Sequence, residues 1–230
     1  VDYNARQNVK STQMYQEWVR DCVATNKPYD QIALERIVAQ GNAAPTQNYY
    51  FMGNRTPQEI AAEQARVFLG VRLDCAQCHD HPYETWSQDQ FWGLTAFFST
   101  ITSMPNETMG SALILDDIHR QAVHPRTKKK VQPTYLDGQA LAAKDEDPRG
   151  RLVAWITSEE NPFFARAAVN RMWSYFFGRG IVDPVDDFRT TNPPTHPKLL
   201  DALAADFRDH EYDLKHLMRR IVSSRTYQLS

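Results

Sequence analysis

Apolar side chains recur every three to four positions over most of the chain and lose that rhythm only in its middle. The period is that of helices that each bury one stripe. Met14, Tyr15, Trp18, Val19, Cys22 and Val23 form such a stripe, with Ser11 as the expected N-cap and Asn26-Lys27-Pro28 as the expected end. A second short helix is expected from about Asp30, burying Ile32, Ile37 and Val38 and stopping at Gly41. Residues 42–55 read as a surface loop. Thr56-Pro57-Gln58-Glu59 then combines a capping hydroxyl, a proline at the first helical position and a carboxylate three residues after the cap, which together make a capping box. The helix it opens would bury Ile60, Val67, Phe68 and Val71, interrupted once by Gln64, and run directly into Cys75. Ser87 with Gln90 opens another, crowded on one side by Phe91, Trp92, Thr95 and Phe98.

From about Ser99 to Asp147 the period fails, and Pro105, Gly110, Pro125, Pro133 and Gly138 break the chain into short pieces. Alternation over Leu113 to Val123 and over Val131 to Tyr135 allows a small hairpin. Past Pro148 the helical spacing returns, with Leu152, Val153 and Ile156, then a run from Phe163 to Phe177 ending at Gly178. Two further stripes follow, one of Leu199, Leu200, Leu203 and Phe207, the other of Leu214, Leu217, Met218, Ile221 and Val222. The expected fold is mainly α, with two helical parts around a proline-rich, partly β middle segment. Its divisions are a helical domain over residues 1–100, an irregular linker or small hairpin over 101–147, and a C-terminal helical domain over 148–230.

Composition removes several function classes. The 230 residues are 42% hydrophobic and 23% charged with a formal net charge of -2, an ordinary globular balance without a basic face for nucleic acid. Lys128-Lys129-Lys130, between Pro125 and Pro133, reads as a solvated turn. No apolar run approaches the roughly 18 residues that cross a bilayer. The first and last residues suggest a piece of a longer protein. No serine-histidine-aspartate arrangement, glycine-rich phosphate loop or paired-carboxylate motif supports a hydrolase or kinase.

The chemistry concentrates at Cys75-Ala76-Gln77-Cys78-His79. Two thiols three residues apart fall on one side of a helical turn, where they can add across the two vinyl groups of a porphyrin. The adjacent histidine then lies under the iron. One covalent haem c, held by Cys75 and Cys78 with His79 as axial ligand, is the expected cofactor, and the fold would then contain a cytochrome-c-like haem site. A zinc site using Cys75, Cys78 and His79 or His81 is the alternative, and a redox dithiol lacks the βαβ pattern it usually accompanies. Trp86, Phe91 and Trp92 are candidate haem walls or plain core. For a sixth ligand the downstream candidates are Met104, Met109, His119 and His124, with an open or water-bound position as the other possibility. Cys22 reads as a buried small hydrophobe.

Three stretches carry a family resemblance: Tyr29-Asp30-Gln31, the run from Phe68 through Cys75-Ala76-Gln77-Cys78-His79-Asp80-His81-Pro82, and Trp86-Ser87-Gln88-Asp89-Gln90-Phe91-Trp92-Gly93-Leu94. They resemble the cytochrome-c-associated domain of planctomycete-type bacteria, domain of unknown function 1549. Asn161-Pro162-Phe163-Phe164-Ala165-Arg166, Val169-Asn170-Arg171-Met172-Trp173, Phe177-Gly178-Arg179-Gly180-Ile181-Val182, Asp186-Asp187-Phe188-Arg189 and Ser224-Arg225-Thr226-Tyr227 are similar to its usual C-terminal partner, domain of unknown function 1553. The resemblance implies export, to the periplasm or cell surface, and a redox partner protein or upstream cytochrome domain. Electron transfer is the leading expectation. A haem-dependent redox enzyme, or a domain of one, acting on a small or carbohydrate substrate is the first alternative, and a non-enzymatic module with a Cys/His zinc site the second. Arg166, Asn170, Arg171, Arg179, Asp186, Asp187 and Arg189 would form either a propionate- or substrate-binding cluster between the halves or an ion-pair network joining them.

Overall fold

The computed structural model describes residues 3–39, 56–106, 111–117, 119–142 and 148–229, with the side chains of 3–11, 103–106 and 111–116 left aside. The architecture is mainly helical. α1 (Tyr3–Ala24) and α2 (Tyr29–Ile37) are followed by α3 (Pro57–Gln64), which widens into a π-helical turn at Ala65–Leu69. A 3-10 turn, Asp74–Gln77, leads to α4 (Gln88–Ala96), and then come β1 (Ile101–Asn106) and β2 (Ser111–Asp116). The chain closes with α5 (Pro148–Ile156), α6 (Phe164–Phe177), α7 (Pro197–Asp209), α8 (Leu214–Val222) and α9 (Arg225–Gln228). No described helix is long and apolar enough to cross a membrane.

Local signals formed as their chemistry dictates. Thr56 and Glu59 exchange both hydrogen bonds of a capping box, and so do Ser87 and Gln90. Gly178 closes α6 in the left-handed conformation, at φ 72°. Other expectations need correction. α1 begins at Tyr3 rather than at Ser11, because no proline or glycine interrupts the residues before Ser11 and a serine within a long helix costs little. Within its stripe Cys22 is buried, Tyr15 and Trp18 are half-buried, and Val19 and Val23 face solvent. The helix is tied down through Trp18, whose indole N–H donates to Glu35 at 2.8 Å. The hairpin also lies earlier than expected: Ile101 pairs with Asp116 and Asn106 with Ser111, whereas Val123–Lys130 and Thr134–Ala140 are single bridges. The expected stop at Gly41 and the loop at 42–55 lie outside the described residues.

The helix that was expected to run into Cys75 stops short of it. Gly70, at φ 67°, ends the π-helical turn in the left-handed region, and the Cys-His segment rides on the separate 3-10 turn beyond. A side chain at Gly70 is excluded twice, by that φ and by Phe188, whose ring carbon would lie 2.7 Å from a Cβ.

Among the described residues, two apolar clusters form the interior. The first gathers Ile37, Ile60, Phe68, Leu73, Phe91 and Phe97 with Leu152, Val153 and Ile156 of α5, and the second gathers Val169, Ile181, Leu200, Phe207, Leu217 and Ile221. Tyr29 and Tyr212 pack against both. The Tyr29 ring stacks on Phe164 at 5.2 Å, and its N–H donates to the Tyr212 carbonyl at 3.1 Å. The middle segment lies on the first cluster, with Tyr135 stacked between Phe97 and Trp155 and the Thr134 N–H donating to the Gly93 carbonyl at 3.1 Å.

Candidate functional site

The 3-10 turn turns Ala76 inward and leaves the side chains on either side of it outside. Ala76 is buried in the first cluster, while Cys75 and Cys78 are exposed free thiols. What holds this turn is the start of α4. The Gln88 side-chain amide donates to the carbonyls of Gln77 at 3.1 Å and Cys78 at 2.8 Å, and the Trp92 indole N–H donates to Gln77 at 3.1 Å. In return the Asp80 carboxylate accepts from the Gln88 backbone N–H at 2.8 Å. Main-chain carbonyls close to the motif are thereby fixed by a side chain that is itself buried.

His79 is exposed, and its Nδ1 lies 2.7 Å from the Asp80 carbonyl oxygen. A carbonyl oxygen can only accept, so Nδ1 carries the hydrogen, and Nε2 is the ring atom that the neutral tautomer leaves to offer a lone pair. Histidines that bind metals are oriented in this manner, by donating the other ring N–H to a backbone carbonyl. His81 is wired differently: its Nδ1 accepts from the Tyr83 N–H at 3.2 Å. Among the described residues, no three of Cys75, Cys78, His79 and His81 bring ligand atoms within 4.8 Å of one another.

The donor set therefore suits covalently attached haem: two accessible thiols on one turn and an imidazole pre-set to offer Nε2. The expected walls are a different matter. Phe91 and Trp92 are core side chains, 1% and 7% exposed, and support the segment from within. Trp86 alone of the three is half-buried, with Phe163 of the C-terminal half at 6.3 Å. Of the candidate sixth ligands, His119 is exposed, the Met104 side chain is not among those described, and Met109 lies outside the described residues. His124 is buried, with Nδ1 engaged in hydrogen bonds. Its Nδ1 accepts from the N–H groups of Arg126 and Thr127 at 3.2 and 3.3 Å, and its Nε2 lies 3.1 Å from the Asp89 carboxylate, off the line of a good hydrogen bond.

The second half reaches back to the segment just ahead of Cys75. Arg72 donates from Nε to Asp186 at 3.1 Å, Arg66 lies 4.0 Å from the same carboxylate, and the Phe188 N–H donates to the Gly70 carbonyl at 2.9 Å. Hydrogen bonding to Asp186 raises the Arg72 pKa further. Residues 1–103 match the family PSCyt2, described as a protein of unknown function (DUF1549), and residues 148–230 match PSD1, described likewise (DUF1553). The chain is a PSCyt2 unit followed by a PSD1 unit. No curated protein and no solved structure matches it.

Within PSD1 the polar set divides by task. Asp186 makes the link to PSCyt2, and Arg171 adds to it by donating to the Arg66 carbonyl at 3.3 Å. The others act inside PSD1: Arg166 pairs with Asp201, Arg179 with Asp183 and Arg189 with Asp187. Asn170, fully buried, donates to the Val182 carbonyl at 2.8 Å and accepts from the Val182 N–H at 2.9 Å. Where PSCyt2 and PSD1 meet, Trp86, Phe163, Arg166, Phe188, Arg189 and Asn192 border a cleft of about 300 Å³. Sequence reasoning missed Gln88, Asp80 and Arg72. Gln88 directly follows a recognisable N-cap, yet nothing in helical spacing reveals a side chain reaching across to another turn.

Proposed function

We propose that the chain binds one haem c and serves in electron transfer, with Cys75 and Cys78 as thioether anchors and His79 as axial ligand. The observation that supports this most is the hydrogen bond from His79 Nδ1 to the Asp80 carbonyl beside two free, exposed thiols. When bound, the haem would supply a one-electron couple tuned by its axial ligands and surroundings. The chain's own part is positional: Gln88 and Trp92 fix the turn, and Asp80 sets the imidazole tautomer. Covalent attachment needs each thiol to meet its own vinyl group. A zinc site needs three or four donors converging on one point, which favours the haem reading over zinc here. Attachment in an oxidising compartment, with the protein exported to the periplasm or cell surface, belongs to the same proposal.

A redox enzyme acting on a small or carbohydrate substrate is the second reading, favoured by the cleft where Trp86 and Phe163 supply flat apolar faces beside Arg166 and Arg189. Absorption spectra of the oxidised and dithionite-reduced protein, made with a haem-attachment system and then denatured, test the first claim. A chromophore retained on the denatured chain supports it, and a colourless folded protein overturns it. Carbon monoxide added to the reduced protein then separates the readings, since a spectral shift requires an open iron position.

A further inference from the structure

The end of α7 and the start of α8 bring metal-ligating side chains together on elements that do not carry the Cys-His segment. Asp206 and His210 are four residues apart at the end of α7 and so share a face. The chain then reverses through Glu211 and Tyr212, both left-handed at φ 53° and 57°. Residues other than glycine hold that conformation only where surrounding structure enforces it. Here the Tyr212 N–H donates to the Phe207 carbonyl at 2.9 Å, the Asp213 N–H to His210 at 3.0 Å, and the Tyr212 hydroxyl to Thr157 at 3.2 Å. Asp213 then caps α8 by accepting from the His216 N–H at 2.7 Å.

The effect is to lay the His216 ring over the His210 ring, with centroids 3.7 Å apart and planes 11° from parallel. His216 Nε2 lies 2.8 Å from one oxygen of Asp206, and His210 Nδ1 lies 3.7 Å from the other. The three ligand atoms all fall within 4.8 Å of one another. A tetrahedral ion at nitrogen distances of about 2.0–2.1 Å needs its donors about 3.3 Å apart, so the His210 and His216 rings would turn out of their stack to aim both nitrogens at one ion.

We propose that Asp206, His210 and His216 form a binding site for a divalent transition-metal ion, zinc in the first place. Two imidazoles and a carboxylate without thiolate suit zinc, with cobalt as a spectroscopic substitute. Arg220 is the competing cation, its Nε 3.5 Å from Asp206, and its side chain is 61% exposed and free to turn into solvent. His210 Nδ1 also lies 2.8 Å from the Asp206 carbonyl and would give up that bond when the ion binds, the neutral ring then carrying its hydrogen on Nε2. His210 is half exposed, so the remaining coordination positions face water. The ion would staple the two helices across the strained turn.

The test uses the full chain with Cys75→Ser and Cys78→Ser, so that the two exposed thiols cannot take up the ion, titrated calorimetrically with zinc chloride and by visible absorption with cobalt. The expected result is one ion per chain, a higher melting temperature with zinc, and cobalt bands of low coordination number. His210→Asn and Asp206→Asn should each weaken binding by on the order of a hundredfold, given that loss of an outer-shell partner alone costs roughly 10–100-fold. Circular dichroism checks that His210→Asn, at a half-exposed position, leaves the fold in place. Absence of zinc binding, or binding that neither substitution weakens, overturns the proposal and leaves the haem reading untouched.

Discussion

Gln88 is the residue on which the geometry of the Cys-His segment most depends, because one buried amide group holds the carbonyls of Gln77 and Cys78 together. Gln88→Leu would keep the volume and strand the Cys78 carbonyl. An unsatisfied polar group of this kind costs about 1–3 kcal/mol. Urea denaturation should register that loss, and the yield of covalently attached haem should fall with it. The cysteines offer an independent check at the same scale. Burial raises the Cys22 thiol pKa, whereas Cys75 and Cys78 stand free at the surface. A thiol reagent applied to the haem-free protein should therefore modify Cys75 and Cys78 rapidly and Cys22 only on unfolding; fast labelling of Cys22 would contradict the packing of α1.

Among the elements, those whose signals are local were legible in the sequence. Thr56 with Glu59 and Ser87 with Gln90 start helices through groups three residues apart, and Gly178 stops one through its own backbone freedom. Gly70 was visible too, but Phe68 and Val71 on either side fit a continuous helical stripe, and only the approach of Phe188 shows why the helix must end there. The thiol pair and His79 were legible from their spacing. Their supports were not, since Arg72 and Asp186 meet across 114 positions and charge pairing at that separation leaves no periodic trace. Gly70→Ala should destabilise the protein by more than about 1 kcal/mol, as expected for alanine forced to positive φ. Asp186→Asn should cost about 1 kcal/mol, because Arg72 is half exposed and water screens the pair. Its clearer mark should be faster amide exchange at Arg72 and Leu73.

At the scale of the whole molecule, aromatic rings tie the PSCyt2 and PSD1 cores into one body. Burial raises the Tyr29 hydroxyl pKa, and burial likewise raises those of Tyr135 and Tyr212. A raised folded-state pKa means that the folded form resists losing the proton. The stability this confers is complete below the unfolded value of about 10 and is lost as pH climbs through the folded values. Urea midpoints measured from pH 8 upward should fall above that point, and Tyr29→Phe should flatten part of the decline. An unchanged slope would remove Tyr29 from the account.

α5 lies in the stretch matched by PSD1, yet Leu152, Val153 and Ile156 complete the cluster built mostly by PSCyt2. The border between the families is thus a line in the sequence that the folded chain does not observe. A chain cut before Pro148 would leave open the apolar seat that α5 fills, and the severed remainder would carry α5 without most of the cluster that covers it. Each piece would expose apolar surface that the intact chain buries, so a genome that copies or discards one of these units has reason to copy or discard both.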